Sequence, residues 1–505
     1  MLTGQSQGEA RGASVRAVTM RESDRVERAE MTAVSTDTAA CTASTGAAAL
    51  IGRRARADEA VRTAAGSALW LALLLVSYWW VADGGVRDLG GWPSLLTSLG
   101  RLTGLVASVL LLTQVLVMAR VPLLEAAFGQ DRLARTHRVV GFTSFDLMLA
   151  HIVTITWGYA AGELSRTPAT LWDLLVGYRG ILLATGGTVC LVMVVTTSIK
   201  AARRRLRYES WHLLHLYAYL GAGLALPHQL WTGQQFVSSP VRTAFWWTAW
   251  AGCAGSVLVW RLGLPLWRNL RHRLRVTAVV GEGDGLASVY VRGRRMDRFP
   301  VEAGQFLTWR FLTGAGWSRA HPYSLSAAPD GRGLRITVQA VGDGSTVALG
   351  LRPGTPALVE GPYGRLSART RTRPKVALIG AGVGITPLRS LAEGLHYAPG
   401  GAVLMQRYTR DPLFADELAL LARDRGLEVL FLPGRRRRPG SWLGDLRGGS
   451  GRDFEDVTAL RHWVPDIAER DVYVCGPEPW TELVRATLLD AGVAPYLIHL
   501  ETFRW

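Results

Sequence analysis

The sequence predicts a multidomain membrane protein: a six-helix transmembrane bundle, then an antiparallel β-barrel domain, then an α/β domain with a parallel sheet. Long apolar stretches occupy the first half of the 505-residue chain. Short alternating runs separated by Gly, Asp and Pro follow, and the last part alternates strands with helices. We place the boundaries at 1–62 for a disordered N-terminal tail, 63–265 for the bundle, 266–372 for the barrel and 373–505 for the α/β domain.

Composition supports a membrane component and excludes several other classes of protein. Hydrophobic residues make up 49% of the chain, charged residues only 19%, and there are 19 tryptophans. The formal charge is +17, but the basic residues flank apolar segments instead of forming nucleic-acid motifs, so no nucleic-acid partner is expected. The four cysteines (Cys41, Cys190, Cys253 and Cys475) show no C-x-x-C spacing, which argues against a disulfide framework, structural zinc or an iron–sulfur cluster.

The first 62 residues are rich in Arg, Ala, Ser and Thr and contain no apolar core. We expect a disordered cytoplasmic tail without a secretory signal, and Met20 or Met31 is a candidate start.

Six later stretches are each long enough to cross a lipid bilayer, which takes about 20 residues of helix. They run approximately over 65–83, 96–120, 137–160, 179–199, 209–228 and 243–263. The connections after the second and fourth stretches are basic, so both termini are expected on the cytoplasmic side of a plasma membrane. The stretch WRNLRHRLR that follows the sixth span suits anionic headgroups.

Four histidines lie inside these apolar stretches. His137 and His151 share the third stretch, and His215 and His228 share the fifth. The first pair is 14 residues apart, which in a helix is roughly 21 Å along nearly one face. Two such helices can hold two stacked haems, with each iron taking one imidazole from each helix. Interhelical hydrogen bonding is the alternative interpretation for histidines in a membrane.

The second pair is less regular. Its 13-residue interval turns His228 about 140° away from His215 on an ideal helix, and Pro227 is expected to distort the helix and reset the face. His212, one turn before His215, is a competing ligand, but its spacing to His228 fits the first pair less well. We therefore favour His215.

The predicted barrel contains a tetrapeptide, His321, Pro322, Tyr323 and Ser324, where a strand ends. An aromatic side chain there can cover a flavin ring, a hydroxyl can bond its polar edge and the imidazole can reach a phosphate. About twenty residues later Gly342, Gly344, Ser345 and Thr346 open a helix whose free amides suit a pyrophosphate. An ordinary strand end is the alternative, and the turn at 361–364 can be structural only.

The α/β domain begins with a glycine-rich turn after the strand KVALI. The turn has the form G-x-G-x-G-x-T-P and contains Gly380, Gly382, Gly384, Thr386 and Pro387. Glycines let the backbone approach a diphosphate, and Thr386 and Pro387 suit the N-cap and N1 positions of the next helix. It differs from the Rossmann G-x-G-x-x-G because residue 385 is Ile.

Selection of NADPH over NADH is expected at the end of the next strand. Thr409 and Arg410, with Arg407 nearby, can bind a 2′-phosphate. Solvated arginines are the alternative there, and the run from Arg435 to Arg438 is an equal candidate for this contact.

Two further features lie near the C-terminus. Cys475, Gly476 and Pro477 end the strand DVYV at the carboxyl edge, where α/β sheets bind ligands. The Cys475 thiol can pack beside a nicotinamide, or it can be a small buried hydrophobe. Phe503 or Trp505 can stack on the open face of the flavin until nicotinamide displaces it, with plain packing as the alternative.

Together these motifs resemble the ferric reductase and NADPH oxidase superfamily, from about residue 65 to the end. The resemblance implies a ferric-reductase-like haem domain followed by a ferredoxin-NADP reductase-like module. It further implies that His137 and His215 ligate an inner haem and that His151 and His228 ligate an outer one. His321, Tyr323 and Ser324 would contact FAD, Gly344 to Thr346 its diphosphate, and the G-x-G-x-G-x-T-P turn the NADPH diphosphate, with Cys475 flanking the nicotinamide.

The implied activity is electron transfer from NADPH through FAD and two b-type haems to an acceptor across the lipid bilayer. The flavin converts a two-electron donor into one-electron steps. A ferric chelate or O2, which would give superoxide, is the expected acceptor. The alternatives are a quinone, a periplasmic partner reductase, or a non-enzymatic haem-binding sensor or scaffold.

Overall fold

The chain folds into a helical part followed by two parts built on β-sheets. The computed structural model describes residues 56–206, 208–283, 285–313, 319–435, 440–444 and 455–503. Most of the predicted N-terminal tail lies outside these residues. Helix α1 already begins at Arg56, before residue 62, where the tail is expected to end. Side chains in its first two turns hold this helix, since Asp58 pairs with Arg369 and Arg62 donates to the Ala127 carbonyl.

The described residues of the first part form eleven α-helices. They are α1 (Arg56–Ala82), α2 (Trp92–Val117), α3 (Pro122–Phe128), α4 (Gln130–Tyr159), α5 (Thr167–Gly177), α6 (Ile181–Ser198), α7 (Lys200–Arg203), α8 (Tyr208–Thr232), α9 (Gln234–Val237), α10 (Pro240–Ser256) and α11 (Leu264–His272). A π-helical segment, Val257–Gly263, joins α10 to α11, so helix runs continuously over Pro240–His272.

Five of these helical segments are long and apolar enough to cross a membrane: α1, α2, α4, α6 and Pro240–His272. Helix α8, the fifth of the six predicted spans, is not among the five. Its 25 residues include three histidines, a glutamine and a glutamate, which lower its apolar character. Large apolar side chains such as Trp70, 68% exposed, project outward from the bundle. Lipid accounts for such a surface, which would be costly in water.

Small residues allow the helices of the bundle to approach closely. Helix α2 packs along α4, and α6 packs along α8. In the second pair the contact is glycine against glycine, because a Cβ on Gly221 would lie 2.9 Å from the Gly187 carbonyl oxygen and 3.1 Å from Leu191 Cγ. Close backbone contacts of this kind are a principal source of helix association in membranes.

The second part consists of two three-stranded antiparallel sheets. Their strands are β1 (Arg275–Gly283), β2 (Leu286–Arg292), β3 (Phe306–Phe311), β4 (His321–Ser324), β5 (Gly333–Gln339) and β6 (Ala357–Tyr363). The orders are β1-β2-β5 and β4-β3-β6, with isolated bridges at Arg275–Pro356 and Leu325–Ile336. Inward residues of both sheets, including Trp309 and Ile336, form one core. The antiparallel strands that the sequence predicts are confirmed, and helix α12 (Asp343–Leu349) follows β5.

The third part is a five-stranded sheet, and its parallel arrangement is the one that the sequence predicts. Its strands are β7 (Val376–Ala381), β8 (Ala402–Arg407), β9 (Glu428–Leu432), β10 (Asp471–Pro477) and β11 (Ile498–Phe503), in the order β11-β10-β7-β8-β9. The accompanying helices are α13 (Ile385–Gly394), α14 (Ala415–Arg425), α15 (Asp456–Trp463) and α16 (Glu478–Asp490). The strand order reverses between β7 and β10, so the crevice at their carboxyl ends is the expected ligand position.

The glycine contact between α6 and α8 gives a test of the bundle. We expect Gly221→Ala to lower the free energy of unfolding by about 1–3 kcal/mol, because the added methyl group overpacks a filled interface. Gly223→Ala, in the same helix, is the matched control, since nothing lies within 4 Å of its Cβ position. Thermal unfolding of both variants in detergent measures the difference, and equal melting temperatures would contradict this packing.

Candidate functional site

His137 of α4 and His215 of α8 meet between these two helices. The ring centroids of His137 and His215 are 5.9 Å apart, with an angle of 69° between the ring planes. Two imidazoles on opposite sides of one metal ion have centroids about 6 Å apart, because each metal–nitrogen bond is roughly 2 Å long. The separation therefore fits an iron shared by the two rings.

Helix α2 orients both histidines of α4 through backbone carbonyls. His137 Nδ1 lies 3.1 Å from the Gln114 carbonyl oxygen, and His151 Nδ1 lies 2.7 Å from that of Gly100. The two carbonyls are fourteen residues apart, as are the two histidines, so one face of α2 serves both. A proton held at Nδ1 leaves Nε2 available to a metal, which is the usual outer-shell arrangement of ligating histidines.

Glycines bring the backbone of neighbouring segments close to His151 and His228. A Cβ on Gly104 would lie 2.6 Å from His151 Nδ1, and one on Gly180 would lie 2.9 Å from the His228 backbone nitrogen. His228 lies within range of an electrostatic interaction with His151. Helix α8 continues through Pro227.

His212, the competing ligand, interacts with Arg310 and Glu360 of strands β3 and β6 and thus lies toward the sheets. His215 has Ser198 Oγ 3.3 Å from its Nδ1. Within the described ranges no cluster of three or more His, Cys, Asp or Glu residues can hold a metal ion.

The predicted flavin tetrapeptide forms strand β4. The rings of His321 and Tyr323 stack with centroids 6.0 Å apart, and burial raises the pKa of Tyr323 to about 12, so its phenol is neutral. Ser324 is 4% exposed, and its hydroxyl oxygen is buried without a hydrogen-bond partner among the described residues. A buried hydroxyl normally has a partner. The orphan position fits a flavin whose polar edge would bond this hydroxyl.

The predicted pyrophosphate turn is shaped by its own hydroxyl groups. Ser345 Oγ accepts hydrogen bonds from the amides of Val341 and Gly342, each at 3.0 Å. Thr346 Oγ1 donates to the Gly342 carbonyl at 3.0 Å. Both side chains are therefore already engaged, and Gly344 lies in the first turn of α12. Backbone amides are what this turn offers to an anion.

In the glycine-rich turn each of two glycines has its own role. Gly382 has a φ of +55° with open space beside it, so its backbone can face a ligand. A Cβ on Gly384 would lie 2.7 Å from the Cys475 carbonyl carbon, so this glycine lets the turn pack on β10. The helix starts two residues earlier than predicted: α13 begins at Ile385, and Thr386 Oγ1 donates to the Val383 carbonyl. A 3₁₀ turn at Gly382–Gly384 tightens this segment, which makes Thr386 and Pro387 the second and third helical residues.

The residues proposed to select NADPH lie after β8. Thr409 and Arg410 follow its last residue, Arg407, and Arg410 is exposed. The alternative run begins at Arg435, which is exposed, whereas Arg436 to Arg438 lie outside the described residues.

Cys475 is fully buried at the carboxyl end of β10. Burial raises the pKa of its thiol well above the usual value, and the Glu501 carboxylate adds to the effect, so the thiol is neutral. Gly476 and Pro477 complete the strand. In the parallel register Cys475 stands opposite Gly380 on β7 and Glu501 on β11. The two nucleotide motifs thus meet at one sheet edge.

Glu501 is a site residue that the sequence reasoning missed. Its Oε2 is shielded from solvent and has no hydrogen-bond partner among the described residues. Burial, followed by the charge of Asp131 on α4, raises the pKa of this carboxyl to about 8. The signal was an acidic residue in the apolar run IHLETF, which forms the unpredicted strand β11. Phe503 ends that strand opposite Pro477, and Trp505 lies outside the described residues.

Comparison with known proteins gives a family match in the helical part and several similar reductases. A family model described as "Ferric reductase like transmembrane component" matches residues 103–226. The chain is 28% identical over 261 residues to an NADPH oxidoreductase of Mycobacterium tuberculosis, covering 48% of this chain and 62% of the relative. It is 28% identical over 250 residues to a glycine betaine monooxygenase reductase subunit of Chromohalobacter salexigens, covering 47% and 65%. The chain thus spans less than two thirds of the length of these relatives.

Solved structures with some similarity include the FAD/NAD-binding domain of a nitric oxide dioxygenase from Vibrio cholerae O1 biovar El Tor. The identity is 25% and the TM-score 0.36, over 46% of this chain and 98% of that one. A flavohemoglobin from Malassezia yamatoensis is 15% identical with a TM-score of 0.38, over 83% and 98%.

The family match includes His137, His151 and His215 and ends at residue 226, before His228. The relatives named above are an NADPH oxidoreductase and a monooxygenase reductase subunit. The chain therefore combines a ferric-reductase-like transmembrane stretch with similarity to NADPH and monooxygenase reductases, which matches the fused arrangement expected from the sequence motifs.

Proposed function

We propose that the protein moves electrons from NADPH through FAD and two b-type haems to an acceptor on the opposite side of the membrane. The observation that carries this proposal is that His137 and His151 on α4 each have Nδ1 within hydrogen-bond distance of an α2 carbonyl oxygen. In addition, His137 faces His215 on α8. We also propose that α8 is the sixth membrane span. Its polar residues would then face the bundle interior, and it packs along α6 as a spanning helix would.

The order of the haem sites follows from where the sheets attach. His212, one turn from His215, interacts with β3 and β6. The pair of His137 and His215 is therefore proposed to hold the inner haem, nearest the reductase module. His151 and His228 would hold the outer haem, about 21 Å further along α4. Basic residues near the inner end, including Arg132 and Arg135, favour a cytoplasmic position for the module and both termini.

The chain's own residues would bind and orient the flavin and nucleotide. When bound, FAD supplies the change from a two-electron donor to single-electron steps. Tyr323 would cover the ring and Ser324 would bond its polar edge. Gly382, at the start of the turn before α13, would receive the nucleotide diphosphate. Phe503 and Trp505 remain proposed as the aromatic cover of the open flavin face, and Cys475 as a neutral neighbour of the nicotinamide.

The acceptor is proposed to be a small oxidised species, a ferric chelate or O2. Two histidine ligands leave no open position on an iron, so an acceptor would take electrons at a haem edge.

The direct test is the purified full-length protein, supplemented with FAD, in detergent with NADPH. We expect the haem absorbance to show reduction without oxygen, and we expect ferric-chelate reduction or superoxide formation when the acceptor is supplied. Both products should be measured side by side. Flavin reduction without any haem reduction would contradict the route.

The outer haem can be removed selectively. We expect His151→Ala to lose one haem per chain while NADPH still reduces the flavin, because this change removes one ligand at the outer position only. His212→Ala is the control and should retain both haems, since His212 lies toward the sheets. A pyridine haemochrome assay gives the stoichiometry. Two haems per chain in His151→Ala, or one in His212→Ala, would refute the ligand assignment.

Glu501 predicts a pH dependence of stability. Its folded-state pKa of about 8 lies above the ordinary value of 4.5. An acid shifted upward is fully compatible with the fold only while protonated, so stability is lost as the pH rises from about 4.5 through about 8. We expect Glu501→Gln to abolish this loss and to raise the melting temperature above pH 8 by a few degrees. Glu482→Gln, an exposed site on α16, should leave the profile unchanged. Parallel profiles for wild type and Glu501→Gln would disprove the burial effect.

A further inference from the structure

A cavity of about 240 Å³ lies where the helical bundle, the antiparallel sheets and the segment before β7 meet. The last membrane segment contributes Trp260, Leu264 and Arg268, and α3 contributes Glu125. The other walls are the turn at 361–364 and the segment that contains Arg365 and Arg369. None of these residues has a role in the haem, flavin or nucleotide sites described above.

The cavity wall has an excess of positive charge. Four arginines line it, Arg120, Arg268, Arg365 and Arg369, against the carboxylates of Glu125 and Glu302. Arg120 pairs with Glu125 at 2.9 Å, and Arg369 pairs with Asp58 at 2.5 Å. Arg268 donates to the Gly361 carbonyl, which is uncharged. The wall itself therefore carries four guanidinium groups and two carboxylates.

Two nitrogen atoms of these arginines are buried polar groups without a compensating contact among the described residues. The Nε atoms of Arg120 and Arg268 are shielded from solvent and have no hydrogen-bond partner among the described residues. The stem of Arg365 packs over Gly129, whose φ of +75° and missing side chain make room for it. Burial, and next the charge of Arg62, lower the pKa of the Arg365 guanidinium, against the opposite effect of Asp58. An anion in the cavity would relieve this crowding of positive charge.

The helix that contributes Leu264 and Arg268 to the cavity wall also has an exposed apolar face. Helix α11 exposes Leu266, Trp267 and Leu270, which are 62%, 52% and 62% exposed. The Arg271 guanidinium lies 4.8 Å from the centre of the Trp267 ring. A basic helix with an exposed apolar face is typical of a segment that lies at the membrane interface. Anionic headgroups are therefore the phosphates most concentrated beside this cavity.

We propose that this cavity binds the phosphate headgroup of an anionic phospholipid. The headgroup would contact arginines from both sides: Arg120 and Arg268 belong to the bundle side, and Arg365 and Arg369 to the segment that leads into the α/β domain. A bound lipid then helps to hold the reductase module against the membrane part. This inference goes beyond the electron route, because the binding requires neither NADPH nor haem.

The test uses the full-length protein in nanodiscs of phosphatidylcholine, with or without phosphatidylglycerol. Native mass spectrometry counts the phosphatidylglycerol molecules that remain bound after transfer to detergent. We expect Arg365→Gln to weaken this retention by about fivefold, the effect of one cation near an anionic surface. Arg365→Lys should retain the lipid, and Arg352→Gln, at an exposed position away from the cavity, is the matched control.

A second readout separates binding from damage to the fold. Hydrogen exchange of residues 361–370 should slow when phosphatidylglycerol is added to wild type but not to Arg365→Gln. Haem and flavin content in phosphatidylcholine alone should be equal for the two proteins. Equal retention by wild type and Arg365→Gln, or equal retention of the two lipids, would overturn the proposal. Displacement of the lipid by inorganic phosphate at comparable concentration would assign the site to soluble phosphate instead.

Discussion

The structure depends on how polar imidazoles are held inside an apolar bundle. An unsatisfied histidine within a membrane costs free energy, so its ring must have partners. Helix α2 supplies two of them, the carbonyls of Gln114 and Gly100, at the same fourteen-residue interval as His137 and His151. Gly104 allows α2 to approach closely enough for the second of these bonds. The α2 backbone thus sets the orientation of the rings, and helix α8 brings His215 to meet one of them.

A second constraint is that the reductase module must stay attached to the bundle in a fixed position. Charged side chains make two of the contacts between them: Asp58 pairs with Arg369, and Arg268 donates to the Gly361 carbonyl. Charged contacts near a membrane surface depend on what else neutralises them. An arginine-lined cavity at this junction therefore links the attachment of the module to the lipids around it.

The chemistry-bearing motifs were readable from sequence because they depend on residue type and spacing. The four histidines, the glycine-rich turn and the Cys475 strand end all occur where strands or helices of the predicted kind are found. Side chains that act through tertiary contacts were not readable. Glu501 is an ordinary glutamate in sequence, and its raised pKa arises from burial and from Asp131, which lies far away along the chain.

Errors at the ends of elements have local physical causes. Helix α1 starts before the predicted boundary because the partner of Asp58, Arg369, lies in a distant segment that composition cannot reveal. Thr386 does not cap α13 because the 3₁₀ turn Gly382–Gly384 precedes the helix, and the Thr386 hydroxyl donates to the Val383 carbonyl in that turn. The α2 carbonyls that orient the histidines are backbone atoms, which no residue type marks. The same holds for the cavity, whose arginines come from three separate parts of the chain.

The central claim is that each of two haem irons is held by one imidazole from α4 and one from α8. Low-temperature electron paramagnetic resonance of the oxidised, purified protein, combined with a haem count, tests it most directly. We predict two haems per chain, both with low-spin signals of bis-imidazole ligation. A single haem per chain, or a dominant high-spin signal from an iron with an open position, would contradict the account.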